Sequence, residues 1–423
     1  MKQQRRDFLK KSTLGASALA MTGVVACSTT DAQKANDDPF ADLNSMVTDI
    51  KPITVDERKQ RIEKAKRLMA DNGMDAIYVE AGSSLFYFTG IRWGNSERMM
   101  AAVIPKNGEV VYICPAFEED RLRELIKLGS EVRVWEEHES PYEVVAGIFS
   151  DLGIATGKIG MEERVRFFLY DGIRKSASRA TYVSADSVTA GCRIFKTPSE
   201  IALMQKANDI TIEAYRKTFS MLEEGMTQGE VRSICSRAHD ALGAPGGAGV
   251  QFGIYTALPH GSIEPQRLKE GDVLLIDGGC GVDGYRSDIT RCIVYGKPSQ
   301  RQIDVWEIER EAQLVAFEAA QLGVPCENVD KAARDFLTSK GFGPGYKYLL
   351  HRTGHGIGLD GHEWVNFVKG NKMPLQEGMC FSDEPMIAIK GEFGIRLEDC
   401  LYMTANGPEF FTQTSTAIDQ PFG

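Results

Sequence analysis

The sequence predicts a two-domain chain of mixed class: an α/β domain over residues 51–190, then a domain of helices and β-hairpin over residues 191–423. Three observations lead there. Short β-prone runs alternate with helical patterns up to about residue 184; two long helix signals follow from Thr197; and Val273 to Arg291, VLLIDGGCGVDGYRSDITR, has the pattern of a hairpin that carries two carboxylates. At 423 residues the chain has room for two ordinary domains. Its 43% hydrophobic and 26% charged content excludes global disorder. A formal charge of −10 argues against a general nucleic-acid binder, which needs a basic face to displace counterions.

The N-terminus, MKQQRRDFLKKSTLGASALAMTGVVACSTT, reads as a targeting segment. Arg5-Arg6 ahead of Asp7, Phe8, Leu9 and Lys10 resembles the twin-arginine export signature, and the apolar stretch Leu14 to Ala26 is too short to span a bilayer. Val24-Val25-Ala26-Cys27 resembles a lipobox, in which Cys27 is lipidated and becomes the new N-terminus; the competing reading is an ordinary exported protein cleaved near Ala26, with Cys27 incidental. Residues 1–27 are therefore expected to direct export to a periplasmic or extracytoplasmic location, with a lipid as the sole membrane anchor. Loss of residues 1–26 removes five Lys/Arg and one Asp, leaving 44 basic against 58 acidic residues and a charge of −14. Residues 28–50 are polar and Asp-rich and read as a tether. Eight further cysteines show no CxxC, and a chain this large does not need disulfide staples.

Thr54 to Gly73 has helical spacing and a glycine stop. DAIYVE, LFYFTG, MAAVIP, EVVYIC, EVRVW, KIGME and ATYVS read as strands, with helical stretches between the later ones. No ligand-like cluster of His, Cys or acids occurs in this half. CRIFKTPSEIALMQKA marks the boundary, with Pro198 and Glu200 in the first turn of a long helix. A second helix is expected over Thr227 to Leu242. The glycine-rich GAPGGAG, Gly243 to Gly249, lacks GxxxxGK[ST] and a preceding strand, so it reads as a flexible connection rather than a phosphate loop.

In the hairpin, Val273 to Ile276 suits a buried strand and Ile289 to Tyr295 its partner. With a turn centred on Val282-Asp283, Asp277 and Asp288 face each other, their Cβ atoms roughly 4.5–5.5 Å apart. Two partly buried carboxylates that close repel, so either one takes a proton or a cation lies between them. Three later residues complete a pattern: His355 between two glycines in RTGHGIGLDGHE, Glu384 in SDEPM, and Glu398 in the alternating GIRLEDC. Two Asp, one His and two Glu can hold a pair of divalent ions, and oxygen-rich ligation with one imidazole suits Mn²⁺, Fe²⁺, Co²⁺ or Zn²⁺. Cys280 and Cys292 have no place in such a set. His138, His239 and His351 read as structural or exposed.

IDGGCGVDGYRSDITR, HGIGLDGHE, DEPM and GIRLED together resemble the pita-bread metallopeptidases, which include methionine aminopeptidase, prolidase and Xaa-Pro aminopeptidase. The resemblance runs from about Ala190 to Phe422, and the first domain resembles the creatinase/prolidase N-domain. It implies an α+β pita-bread catalytic domain and two divalent ions, most often manganese. In that scheme Asp277 is a ligand to one ion, His355 and Glu384 to the other, and Asp288 and Glu398 bridge both. It implies three catalytic residues: His260 in TALPHGSIEP as proton donor to the tetrahedral intermediate, His362 contacting the substrate, and Glu384 moving the proton of a metal-bridged hydroxide. Arg396 is expected to fix a ligand carboxylate from behind.

The expected substrate is a short peptide with a free N-terminus, cut at an Xaa-Pro or similar bond, and the expected assembly is a homodimer. Val365 stands where many Xaa-Pro peptidases carry proline, which leaves a metal-dependent small-amide C–N hydrolase as the competing reading. Creatinase itself lacks the metal ligands kept here. A non-catalytic binding protein is the third reading, although such relatives usually lose ligands or gain basic insertions.

Overall fold

Thr54 opens the first helix of the computed structural model, which describes residues 38–423. The export segment, Cys27 and the first part of the tether lie outside the described residues. Helix α1 (Val55–Asp71) starts with a capping box: the Thr54 hydroxyl accepts from Glu57 N, and the Glu57 carboxylate accepts from Thr54 N. Its stripe Ile62, Ala65 and Met69 is buried.

Behind α1 lie β1 (Ala76–Glu80), α2 (Ser83–Thr89), β2 (Ala101–Pro105), β3 (Val111–Pro115), α3 (Glu119–Leu125), β4 (Glu131–Trp135), α4 (Pro141–Asp151), β5 (Lys158–Met161), α5 (Phe167–Ser176), β6 (Thr181–Ser184) and α6 (Asp186–Arg193). The six strands form one sheet in the order β4-β3-β2-β1-β5-β6, parallel except for the two antiparallel pairings of β2. Every residue of β1, β2 and β3 is buried, which explains their uninterrupted apolar runs.

LFYFTG, expected as a strand, is the helix α2 instead. Residues 84–89 are buried on every side, so the helical period leaves no trace in the sequence, and Gly90 closes the helix at φ 83°.

The second half begins with α7 (Pro198–Ser220) and α8 (Gln228–Ala241), each opened by a Thr–Glu capping box from Thr197 and Thr227. They pack on a sheet of β7 (Gly246–Phe252), β8 (Val273–Val282), β9 (Tyr285–Arg286) and β10 (Ile289–Val294). The glycine-rich connection is thus a strand from Gly246 onward, and only residues 243–245 connect. Its glycines serve close backbone approach: a Cβ on Gly246 would lie 2.7 Å from both Gly279 O and the Cys280 Cβ. Helices α9 (Gln300–Ala319) and α10 (Cys326–Ser339) follow. Next come β11 (Gly354–Gly356), β12 (Glu363–Phe367), β13 (Cys380–Asp383), the β14 (Met386–Ile389)–β15 (Phe393–Arg396) hairpin, β16 (Asp399–Thr404) and β17 (Gly407–Phe410). A five-stranded sheet in the order β12-β11-β13-β16-β17 joins the first through a bridge between Thr290 and Glu398.

Residues 43–423 form one compact unit. Within it, residues 43–50, read as tether, lie against the second half, with Met46 N donating to Leu242 O at 2.9 Å and Asp49 pairing with Lys206. Polar composition did not reveal these backbone and charge contacts. The two halves are tied by buried ion pairs, Arg61 to Glu200 at 3.3 Å and Arg193 to Asp360 at 2.6 Å. The eight described cysteines are all buried and unpaired.

Candidate metal centre

The hairpin turn is Asp283-Gly284, not Val282-Asp283. Val282 pairs with Tyr285, and the same register puts Asp277 opposite Thr290 and carries Asp288 beside Gly279. Asp283 and Gly284 have φ of 44° and 93°, the double positive φ of a type I′ turn that Asp-Gly favours. The two-residue slip keeps both carboxylates on one face because side chains alternate with period 2. Asp277 and Asp288 are therefore diagonal neighbours, and a carboxylate oxygen from each lies within 4.8 Å of the other and of one from Glu398.

Glu398 reaches this point from the turn between β15 and β16, and Glu384 from the end of β13, where its N–H donates to Thr353 O at 2.9 Å. His355 sits mid-β11. The glycines around it admit neighbouring backbone: a Cβ on Gly354 would meet Ser382 O at 2.1 Å, and one on Gly356 would meet Trp364 O at 2.5 Å. His355 Nδ1 donates to Gly356 O at 3.1 Å, so Nε2 presents a bare lone pair. That nitrogen is 3.2 Å from Glu384 Oε1, 3.9 Å from Asp288 Oδ2 and 4.0 Å from Glu398 Oε1. All five expected ligands thus converge.

They line a cavity of about 400 Å³ together with His260, His362, His351, Arg352, Arg396 and Pro259. Arg396 pairs with Asp277 and donates to Thr290 Oγ1 and Pro259 O, each at 3.2 Å. His362 stacks on His355 at 3.9 Å between ring centroids, and its Nδ1 accepts from Arg352 at 2.8 Å, which leaves the proton on Nε2. His260 is exposed at the rim.

Three residues here escaped the sequence reading. Thr290 bonds to both Asp277 (3.1 Å) and Glu398 (2.7 Å), a role legible only from the correct register. His351 and Arg352 immediately precede the Thr353-Gly354-His355 motif; that adjacency was the signal. His351, expected to be structural or exposed, lines the cavity because Arg334 holds its backbone from α10. His239 is buried beside Tyr215, and His138 is exposed.

Four carboxylates face two guanidiniums, of which Arg396 alone pairs directly with one of them, an excess of negative charge in a buried place. Burial, then the charges of Asp277 and Glu384, push the Asp288 carboxyl well above its usual range. Burial with Asp288 and Glu384 does the same to Glu398, and burial carries Glu384 to about 7 against the pull of Arg396. Burial, with His362 beside it, holds His355 down at about 3, so its imidazole is neutral. A neutral imidazole lone pair among crowded carboxylates fits divalent ions of the borderline transition series.

These shifts have a consequence for pH. Folding raises the carboxyls, so their contribution favours the metal-free fold below about pH 4.5 and is lost as pH rises through about 7. Chelator-treated protein is expected to melt at progressively lower temperature from about pH 5 to 8. Manganese added at the upper end restores the melting temperature. A flat calorimetric profile without metal would contradict this electrostatic account.

Residues 202–405 match metallopeptidase family M24, and residues 61–195 match the creatinase/prolidase N-terminal domain. An Xaa-Pro dipeptidase of Lactobacillus helveticus is 32% identical over 362 residues, covering 84% of this chain and 96% of its own. Among solved structures, a prolidase from Thermococcus sibiricus aligns with a TM-score of 0.79 at 29% identity, covering 84% of this chain and 97% of that one. Dipeptidase PepE from Mycobacterium ulcerans aligns at 0.80 and 29%, covering 86% and 97%.

Proposed function

The chain belongs to metallopeptidase family M24, a hydrolase with a creatinase/prolidase N-terminal domain ahead of a pita-bread catalytic half, and from that premise we propose a metal-dependent peptidase that cuts an Xaa-Pro or similar bond beside a free N-terminus. The observation that carries this reading is the convergence of Asp277, Asp288, His355, Glu384 and Glu398 on one cavity with His260 and His362. Bound by these five residues, two divalent ions would supply Lewis acidity and lower the pKa of water, with manganese, cobalt, zinc and iron all suited to the donor set.

The chain's own groups divide the remaining work. Glu384 accepts the proton of the attacking water and returns it to the leaving nitrogen. His362, its Nδ1 occupied by Arg352, presents Nε2–H to the substrate carbonyl. His260 at the rim donates to the oxygen on which charge develops. Arg396 and Thr290 hold Asp277 in place, so the carboxylates do not have to reorganise as the reaction proceeds.

The reading extends to an exported protein anchored at Cys27, on the strength of Arg5-Arg6 and the sequence before that cysteine, and to a homodimer. Purified protein with Mn²⁺, Co²⁺ or Zn²⁺ is expected to release the first residue from Xaa-Pro dipeptides, while cells expressing the full sequence hold it in the membrane fraction and a Cys27→Ala variant does not. Absence of cleavage with every metal, alongside turnover of small non-peptide amides, would favour the C–N hydrolase instead.

A further inference from the structure

We propose that Arg164, in the N-terminal half, is a positioning residue for His362, so that this half takes part in catalysis within one chain; the proposal rests on the peptidase reading above. Arg164 lies between β5 and α5, and its guanidinium reaches two points of the second half: Nη1 pairs with Asp360 Oδ1 at 3.0 Å, and Nη2 donates to His362 O at 3.4 Å. Asp360 is a fixed base for that bridge. Arg193 donates to its Oδ2 and Ser83 Oγ to its Oδ1, each at 2.6 Å. The segment that carries Arg164 is fixed as well. Glu162 N donates to Tyr78 O at 3.1 Å, the buried Glu162 carboxylate accepts from Ser84 Oγ at 2.8 Å, and Arg166 pairs with the buried Glu80.

His362 is exposed and stands just ahead of β12, with Gly361 between it and Asp360. A Cβ added at Gly361 would meet nothing within 4 Å, so no neighbour stiffens the one residue between the anchored carboxylate and the imidazole. The ring of His362 stacks on His355 and takes a bond from Arg352 at Nδ1, while its main chain takes the second prong of Arg164. The imidazole is thus steered from the metal side and its backbone from the N-terminal half. A planar guanidinium serves a carboxylate and a carbonyl through separate nitrogens at fixed spacing, which a single ammonium does not. Because the Arg164 side chain is 47% exposed, the bridge adds little to folding. Its effect falls on where Nε2–H of His362 meets the substrate carbonyl.

The test is steady-state kinetics of the manganese-loaded enzyme on an Xaa-Pro dipeptide. Arg164→Ala is expected to lower kcat by about tenfold with KM changed by less than about twofold, at wild-type metal content and with a thermal midpoint within a few degrees of wild type. Arg164→Lys, which serves Asp360 or the carbonyl but not both, recovers part of the loss. In a His362→Ala background the same change at Arg164 is expected to have less than about a twofold effect, since the group it positions is gone. An unchanged kcat in Arg164→Ala, or losses that multiply in the double variant, overturns the proposal and leaves the peptidase reading standing. Failure of wild type to cut the dipeptide removes that reading, and hydrogen exchange then decides on Arg164: faster exchange confined to residues 357–364 in Arg164→Ala supports the bridge, and an unchanged pattern overturns it. Should Arg164→Ala not fold, Arg164→Gln carries the same measurements.

Discussion

Asp288→Ala is expected to lose bound metal and peptidase activity together, by at least about 10³-fold in kcat/KM, while its metal-free form melts higher than metal-free wild type. The two effects share one cause. Asp288 belongs to two of the three groups able to hold an ion, one with His355 and His362 and one with Asp277 and Glu398, so its loss opens both. The same carboxylate is pushed up by burial and by Asp277 and Glu384, so removing it relieves repulsion that only a cation or a proton otherwise offsets. Elemental analysis and calorimetry at about pH 8 provide the check. Unchanged metal content would end the assignment of Asp288, and a lower melting point would show that the repulsion is not what limits the metal-free fold.

The second large effect concerns stability. Arg193, 3% exposed at the end of α6, pairs with Asp360 at 2.6 Å, with Glu363, and with Ser84 Oγ at 3.2 Å. Burial alone would raise the Glu363 carboxyl, but Lys196 and Arg193 outweigh it and hold it at about 2. Arg193→Ala leaves that charge with Lys196 at 3.2 Å and the Asp360 N–H at 3.1 Å, and is expected to cost about 3–5 kcal/mol in chemical denaturation. Because Asp360 and Glu363 flank His362, activity should fall as well. A double-mutant cycle with Glu363→Gln isolates the pair. A loss under about 1 kcal/mol would mean that the ion pair is not what joins the halves there.

The residues that converge on the cavity were readable from the sequence because each stands in its own short context: Asp277 ahead of two glycines, His355 between two, Glu384 before a proline, Glu398 in an alternating run. The strand register between them was less accessible. Asp283-Gly284 is a strong turn signal, but GCGVDG holds several glycines, and choosing the neighbouring Val282-Asp283 set Asp288 directly opposite Asp277 when it is the diagonal neighbour. Two further departures came from burial. The helix over residues 83–89 is buried on every side from Ser84 onward, and β7 is a strand whose glycines admit the backbone of β8. Both properties depend on what packs against the segment, which the local sequence does not carry. The same holds for Thr290, His351 and Arg352, whose neighbours come from distant parts of the chain.

The hairpin tip carries one more implication. Asp283 accepts from Ile53 N at 3.3 Å and pairs with Arg92 at 3.1 Å, both from the N-terminal half, while farther along the same hairpin Asp277 and Asp288 line the candidate metal cavity. The arm is pinned at its far end by a domain that contributes none of the five ligands. Under the proposed function, selection on metal retention therefore reaches Arg92, and sequence drift there should be registered as leakiness of the ion before it is registered as loss of fold.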